Sequence, residues 1–245
     1  MRQNDLFKLV GMLFVGVLAT ACAAPTAQTT QQRKLVVTPT PAVPLTPRQR
    51  VIANAVEQTN LTTAYDPAYV ALAYPNGDVL MDRGVCADVI VRALRAANVD
   101  LQKELHEDMK MAFAKYPQKW GARGTDANID HRRVPNLMTW FARQNKSLPI
   151  TEQAPKQLND YQPGDVVAWE LNASTGQLHI GLVSDTRVAG ADRYAIIHNI
   201  SSGAQFADVL FAWKIIGHYR YFTDEPEKPT PLRTRTDRQK IKDRR

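Results

Sequence analysis

Cysteine is almost missing from this chain: 245 residues hold two, Cys22 and Cys86. Two thiols cannot make a disulfide framework, so the fold must rest on a core of its own. Long apolar runs are missing too. The stretch from Leu9 to Leu18 is apolar but too short for a comfortable transmembrane helix. No segment has the pattern of a nucleic-acid module, so the net charge of +7 is no argument for a nucleic-acid partner. Much of the basic excess lies between Arg233 and Arg245, most simply a solvated tail.

The N-terminus reads as a targeting segment. Arg2 and Lys8 precede the apolar run, and Ala19, Thr20 and Ala21 supply a small-residue cleavage site, which predicts a secretory signal over residues 1–21. The stretch Leu18-Ala19-Thr20-Ala21-Cys22 is also similar to a bacterial lipobox. That similarity implies a lipidated Cys22 and an exported protein held on the periplasmic side of a bacterial membrane. Ala19, where leucine is usual, departs from the motif, and ordinary cleavage after Ala21 or Ala23 is the alternative. If Cys22 is lipidated or removed, Cys86 becomes the single free thiol. Residues 22–47 are rich in Ala, Thr, Gln and Pro and are expected to form a disordered tether. Residues 223–245 are expected to form a disordered basic tail, which leaves 48–222 as the folded domain.

Asp82 to Leu94 organises that domain. A loop broken by Gly84 runs into a helix that starts at or beside Cys86. Val89, Ile90, Ala93, Leu94 and Ala97 recur at helical spacing, and counting back from Val89 and Ile90 places Cys86 on the same inward stripe. Asp88, Arg92 and Arg95 are expected to lie away from it. A thiol at an inward helix N-terminus meets unpaired N–H groups and the positive end of the dipole, which favour an anion. That suits a nucleophile, whereas a buried free cysteine is otherwise a small packing residue.

Around this helix the chain predicts helices over 48–59, 101–116 and 135–145, the first capped by Thr46. After Pro149 the apolar period changes to two. Strands are expected over 165–171, 177–185, 193–200 and 213–222, the first entered through Pro163-Gly164. Helices followed by a strand meander indicate an α+β domain with one antiparallel sheet.

Two histidines fall within these strands. The period of two puts His179 and Gly181 on one face, and Gly181 would let a helix N-terminus approach closely. His198 and Asn199 face opposite sides, so only one of them can share the His179 site. A thiolate, a base that takes its proton and a polar group that orients the base form the usual nucleophile constellation. Cys86, His179 and His198 stand in that order along the chain.

The runs Gly84-Val85-Cys86-Ala87-Asp88-Val89, Pro163-Gly164-Asp165, His179-Ile180-Gly181-Leu182-Val183 and Ile197-His198-Asn199 resemble those of NlpC-type peptidases, papain-like cysteine hydrolases of bacterial cell walls. More closely, Tyr65 to Phe222 resembles the bacterial family called domain of unknown function 1287, through Gly84-Val85-Cys86, Asn128 to Leu137 and Ile197 to Ile200. The resemblance implies a papain-like core, Cys86 as nucleophile, His179 as base and His198 as orienting residue, with Asn199 the alternative third residue. It implies a hydrolase acting on peptidoglycan stem peptides, without a cofactor. Val85-Cys86-Ala87 departs from the Asp-Cys-Ser or Asn-Cys-Ser usual in those peptidases, but backbone oxyanion donors survive that change.

His131, Arg132 and Arg133 are candidate substrate contacts, because guanidinium groups hold carboxylates bidentately. The plainer reading is a capping loop. Tyr65 and Asp66 are candidates for the cleft wall, and Trp169 is expected in the core. A wall-binding module without activity, a thioester-dependent acyl or peptidyl transferase, and a zinc site on Cys86, His179 and His198 are the rival readings.

Overall fold

The computed structural model describes residues 44–150 and 160–223. The expected signal segment, Cys22, most of the tether and nearly all of the basic tail lie outside those residues. Among the described residues no helix is long and apolar enough to cross a membrane.

Among the described residues, four helices and seven strands form the domain. Helix α1, Pro47–Leu61, opens with Thr46 as cap: its hydroxyl accepts from the Gln49 N–H while the Gln49 side chain accepts from the Thr46 N–H. Strands β1, Ala64–Tyr65, and β2, Arg83–Gly84, form a short parallel pair. Helix α2 is Cys86–Arg95, and Asn98 beyond it takes the left-handed conformation, φ 66°. Helix α3, Leu101–Met111, ends before the expected 116, and a 3₁₀ turn, Phe113–Lys115, continues towards Pro117. A second 3₁₀ turn, Asp130–Arg132, leads into α4, Val134–Arg143.

The sheet holds β3, Val166–Asn172; β4, Gln177–Arg187; β5, Tyr194–Asn199; β6, Ala204–Ala207; and β7, Lys214–Tyr219. Its order is β6-β5-β4-β3-β7, antiparallel throughout, so the chain is α+β. Strand β6 and the β1–β2 pair are additions to the expected set. Each is too short to show an apolar period.

The two sheet faces have separate cores, as strand alternation requires. Val166, Ala168, Ile180, Leu182 and Ile197 pack with the helices, whereas Val167, Trp169, Val183, Ile196 and Ile215 pack with Tyr161 and Leu210 on the other face. Trp169 is fully buried there and donates its indole N–H to the Leu210 carbonyl.

Helix α2 corrects one expectation. It is buried nearly all round, and Asp88 and Arg92 are inside rather than on a solvated face. Ion pairing makes this tolerable. Arg92 holds Asp78 through Nε and Nη2 at 3.0–3.2 Å and also donates to the Val79, Leu80 and Arg83 carbonyls.

The Pro-Gly-Asp strand entry has a physical reason. Asp165 is buried and accepts from Arg220 at 2.7 and 2.8 Å and from His218 Nε2 at 2.8 Å, which ties the start of β3 to β7.

Candidate active site

Cys86 is the first residue of α2 and is 6% exposed. Two devices fix the loop before it. Asn199, fully buried at the end of β5, donates its Nδ2 to the carbonyls of Ala64, at 3.1 Å, and Gly84, at 2.9 Å. Asp88 turns back so that Oδ2 accepts from the Val85 N–H at 2.6 Å. Gly84 leaves room for that carboxylate: a Cβ there would stand 2.8 Å from Oδ2.

The β4–β5 ladder extends towards this end only as far as Leu182 opposite Ile197. Beyond that pair both strands address the helix start. Asn199 takes the Gly84 carbonyl, and the backbone N–H of Ile180 meets the Cys86 sulfur. Burial nevertheless pushes the thiol up to about 12, outweighing the N–H groups of Ile180, Ala87 and Cys86 itself, while the Asp88 charge adds to the rise. The resting sulfur is a neutral thiol.

His179 precedes Ile180, so alternation sends its ring to the other face of the sheet. There it lies among Trp169, Trp213 and His198, with ring centroids 5.9, 5.8 and 5.0 Å away. Its Nε2 is 2.8 Å from Nδ1 of His198. Burial pushes His179 down to about 3, with His198 adding to the fall, and burial pushes His198 down to about 4. Both rings are neutral. Of the two candidates for the third position, the structure therefore joins His198 to His179, while Asn199 clamps the loop before Cys86. Among the described residues no hydrogen bond joins the Cys86 sulfur to either imidazole.

Gly181 has a different neighbour from the one expected. A Cβ there would meet Ile196 Cγ2 at 2.6 Å, and His198 Cβ and the Ile197 carbonyl at 3.2 Å. It is strand β5, not a helix N-terminus, that comes close.

Cys86 opens on a pocket of about 530 Å³ whose wall includes Tyr65, Lys119, Trp120, Arg132, Arg133 and Leu178. Among the described residues, the wall carries three cationic side chains and no acidic one. The three residues expected to touch substrate divide here. Arg133 faces the pocket with its guanidinium 4.3 Å from the Trp120 ring centre, and its contact with Asp130 is long, 3.8 Å. Arg132 reaches the wall but is engaged elsewhere. Nε and Nη2 hold both Asp88 oxygens at 2.9 Å, and Nη1 donates to the Ala68 carbonyl at 3.0 Å. His131 is 2% exposed and off the wall, and burial, then the Arg132 and Arg95 charges, pushes it down to about 4. Reading Arg132 and His131 as substrate ligands is thus corrected: both are buried. Tyr65 lines the pocket, whereas Asp66 lies on a neighbouring one with Arg83.

Trp120 and Lys119 escaped the sequence reading. The only signal for them was an aromatic residue inside a polar loop. Among the described residues no group of three or more His, Cys, Asp or Glu is arranged to hold a metal ion.

The family model described as "Domain of unknown function (DUF1287)" matches residues 52–221. "Uncharacterized protein YijF" of Escherichia coli (strain K12) is 52% identical over 189 residues, which cover 74% of this chain and 89% of that protein. No solved structure matches.

Proposed function

The chain belongs to the DUF1287 family, and on that premise we propose that it is an exported cysteine hydrolase, anchored through a lipidated Cys22, that cleaves amide bonds in peptidoglycan stem peptides. The observation that carries the proposal is the meeting of three features near the start of β4. A lone thiol sits at a helix N-terminus and opens on a pocket, the Ile180 N–H lies against its sulfur, and the preceding residue is a histidine paired to a second one. The NlpC-type order of motifs supports the papain-like reading of this arrangement and supplies the substrate class.

In this reading His179 takes the thiol proton on Nδ1 as the sulfur adds to the amide carbonyl. The N–H groups of Cys86 and Ala87 face the resulting oxyanion. The amine leaves with a proton from His179, and water, activated by the same ring, hydrolyses the thioester. The His179 ring lies on the sheet face opposite the sulfur, among Trp169, Trp213 and His198, so this step requires the start of β4 to turn His179 towards the pocket. Arg133 holds a substrate carboxylate.

One observation favours a second reading. A thiol pushed up to about 12 by burial suits an inactive wall-binding module. Digestion of purified cell wall separates the two. The hydrolase releases new amino groups with wild type and none with Cys86→Ala. Retention on wall by both proteins, with no bond cut by either, overturns the hydrolase and leaves the binding module.

A further inference from the structure

The 130–133 segment has a role that substrate binding does not describe. Arg132 and Asp88 form a buried, bidentate ion pair with side chains 2% and 4% exposed. Asp88 lies two residues after Cys86 and also holds the Val85 N–H. One carboxylate therefore binds the residue before the nucleophile, belongs to the first turn of its helix, and carries a negative charge beside its sulfur. Arg132 reaches it from a separate element, the 3₁₀ turn, and is itself held by the Ala68 carbonyl.

We propose that Arg132 and Asp88 are positioning residues for Cys86, an ion pair that fixes the N-terminus of α2 and cancels the Asp88 charge which would otherwise oppose a thiolate. This rests on the reading of Cys86 as the nucleophile.

The effect of charge on the thiol has a definite sign. Among the described residues, the other titratable or charged groups around the thiol are Tyr65 on β1, Tyr69 in the loop after it, Lys119 in the loop before Trp120 and Arg133 beside the 3₁₀ turn, while His179 lies on the other face of the sheet. Only Asp88 among them is an acid that ionises near neutrality, and Arg132 is the cation bound to it. Removing Arg132 leaves the anion uncancelled and disfavours the thiolate. Removing the Asp88 charge leaves Arg132 and favours it. A purely structural pair would move both variants the same way, since either loss loosens the same contact.

The test is the rate of Cys86 alkylation by iodoacetamide in the full chain, read by peptide mass at pH 8, 9 and 10. With the thiol mostly protonated, the rate at fixed pH follows the thiolate fraction, and one pKa unit is a tenfold change. Asp88→Asn is expected to react faster than wild type, by roughly tenfold, and Arg132→Gln slower by a similar factor. Arg132→Lys keeps the charge and is expected to stay within about twofold of wild type; it serves with Asp88→Asn should Arg132→Gln not fold. Equal rates, or shifts of one sign in Asp88→Asn and Arg132→Gln, overturn the proposal; so does a slowed Arg132→Lys beside an unchanged Asp88→Asn. His179→Ala, run alongside, tests the underlying reading by itself. If His179→Ala slows alkylation while Asp88→Asn does not change it, the Cys–His reading stands and the ion-pair role falls. If His179→Ala changes nothing, that reading falls whatever Asp88 does.

Discussion

Nε2 of His179 lies 2.8 Å from Nδ1 of His198, and Nε2 of His198 is buried without a partner. Two neutral imidazoles share one proton across such a contact. A His179 that accepts a proton on Nδ1 must carry its own on Nε2 and donate it to His198. His198 then holds its proton on the unpartnered Nε2. The second ring thus selects the tautomer of the first.

Replacing His198 by Ala is therefore expected to lower kcat for wall-peptide hydrolysis by about 10²–10⁴-fold, the range for a mispositioned general base, with KM little changed. His198→Asn, whose amide oxygen can accept the same proton, is expected to recover part of the loss. Steady-state kinetics on a soluble stem peptide decide it. A change in KM alone would place His198 in packing or binding.

Gly181→Ala pushes β5 off β4 at the histidines, because the new Cβ would stand 2.6 Å from Ile196 Cγ2. Overpacking of this kind costs about 1–3 kcal/mol, so the urea midpoint falls, and hydrolysis falls further as His198 moves. Gly124→Ala, where nothing lies within 4 Å, is the control and is expected to leave both unchanged. Equal stability of the two variants would contradict the packing.

Acid is expected to destabilise the fold through its neutral histidines. His131, His179 and His198 are held at about 4, 3 and 4, against about 6.5 in the unfolded chain. Below pH 6.5 the unfolded state binds more protons, so stability is present above that pH and is lost as pH falls towards 4. Each fully titrating histidine contributes a slope of about 1.4 kcal/mol per pH unit. Urea unfolding of His131→Gln between pH 6 and 4 is expected to show a slope shallower by about that amount. A slope identical to wild type would mean that His131 is not kept neutral.

Arg133 stands braced on Trp120 with its donors towards the pocket. Arg133→Ala is expected to raise KM for a carboxylate-bearing peptide about 10–100-fold, the worth of a charge-assisted hydrogen bond, and to leave an amidated analogue almost unaffected. Trp120→Ala acts in the same direction, more weakly. Equal effects on both peptides would make Arg133 a wall residue and not a carboxylate ligand.

Much of the architecture was legible in the chain because it rests on local rules. Thr46 before Pro47, the stripe from Cys86 to Leu94, Asn98 at a left-handed position and the period of two after Pro163 each carry their cause within a few residues. Alternation also required His198 and Asn199 to part. It could not say which would meet His179.

Tertiary contact decided that, and the reason is distance along the chain. Asn199 reaches Ala64 and Gly84 from 135 and 115 residues away, and Arg132 reaches Asp88 from 44. No periodicity records such pairs. The same holds for charge inside the fold: Asp88, Arg92 and Arg132 look solvated when read singly, and ion-pair partners brought by other segments accompany their burial. By itself the sequence determined an α+β chain, a thiol at a helix start and the histidines that follow it in order. Only the tertiary structure decided which histidine pairs with which, which arginine faces the pocket, and that burial keeps the thiol protonated at rest.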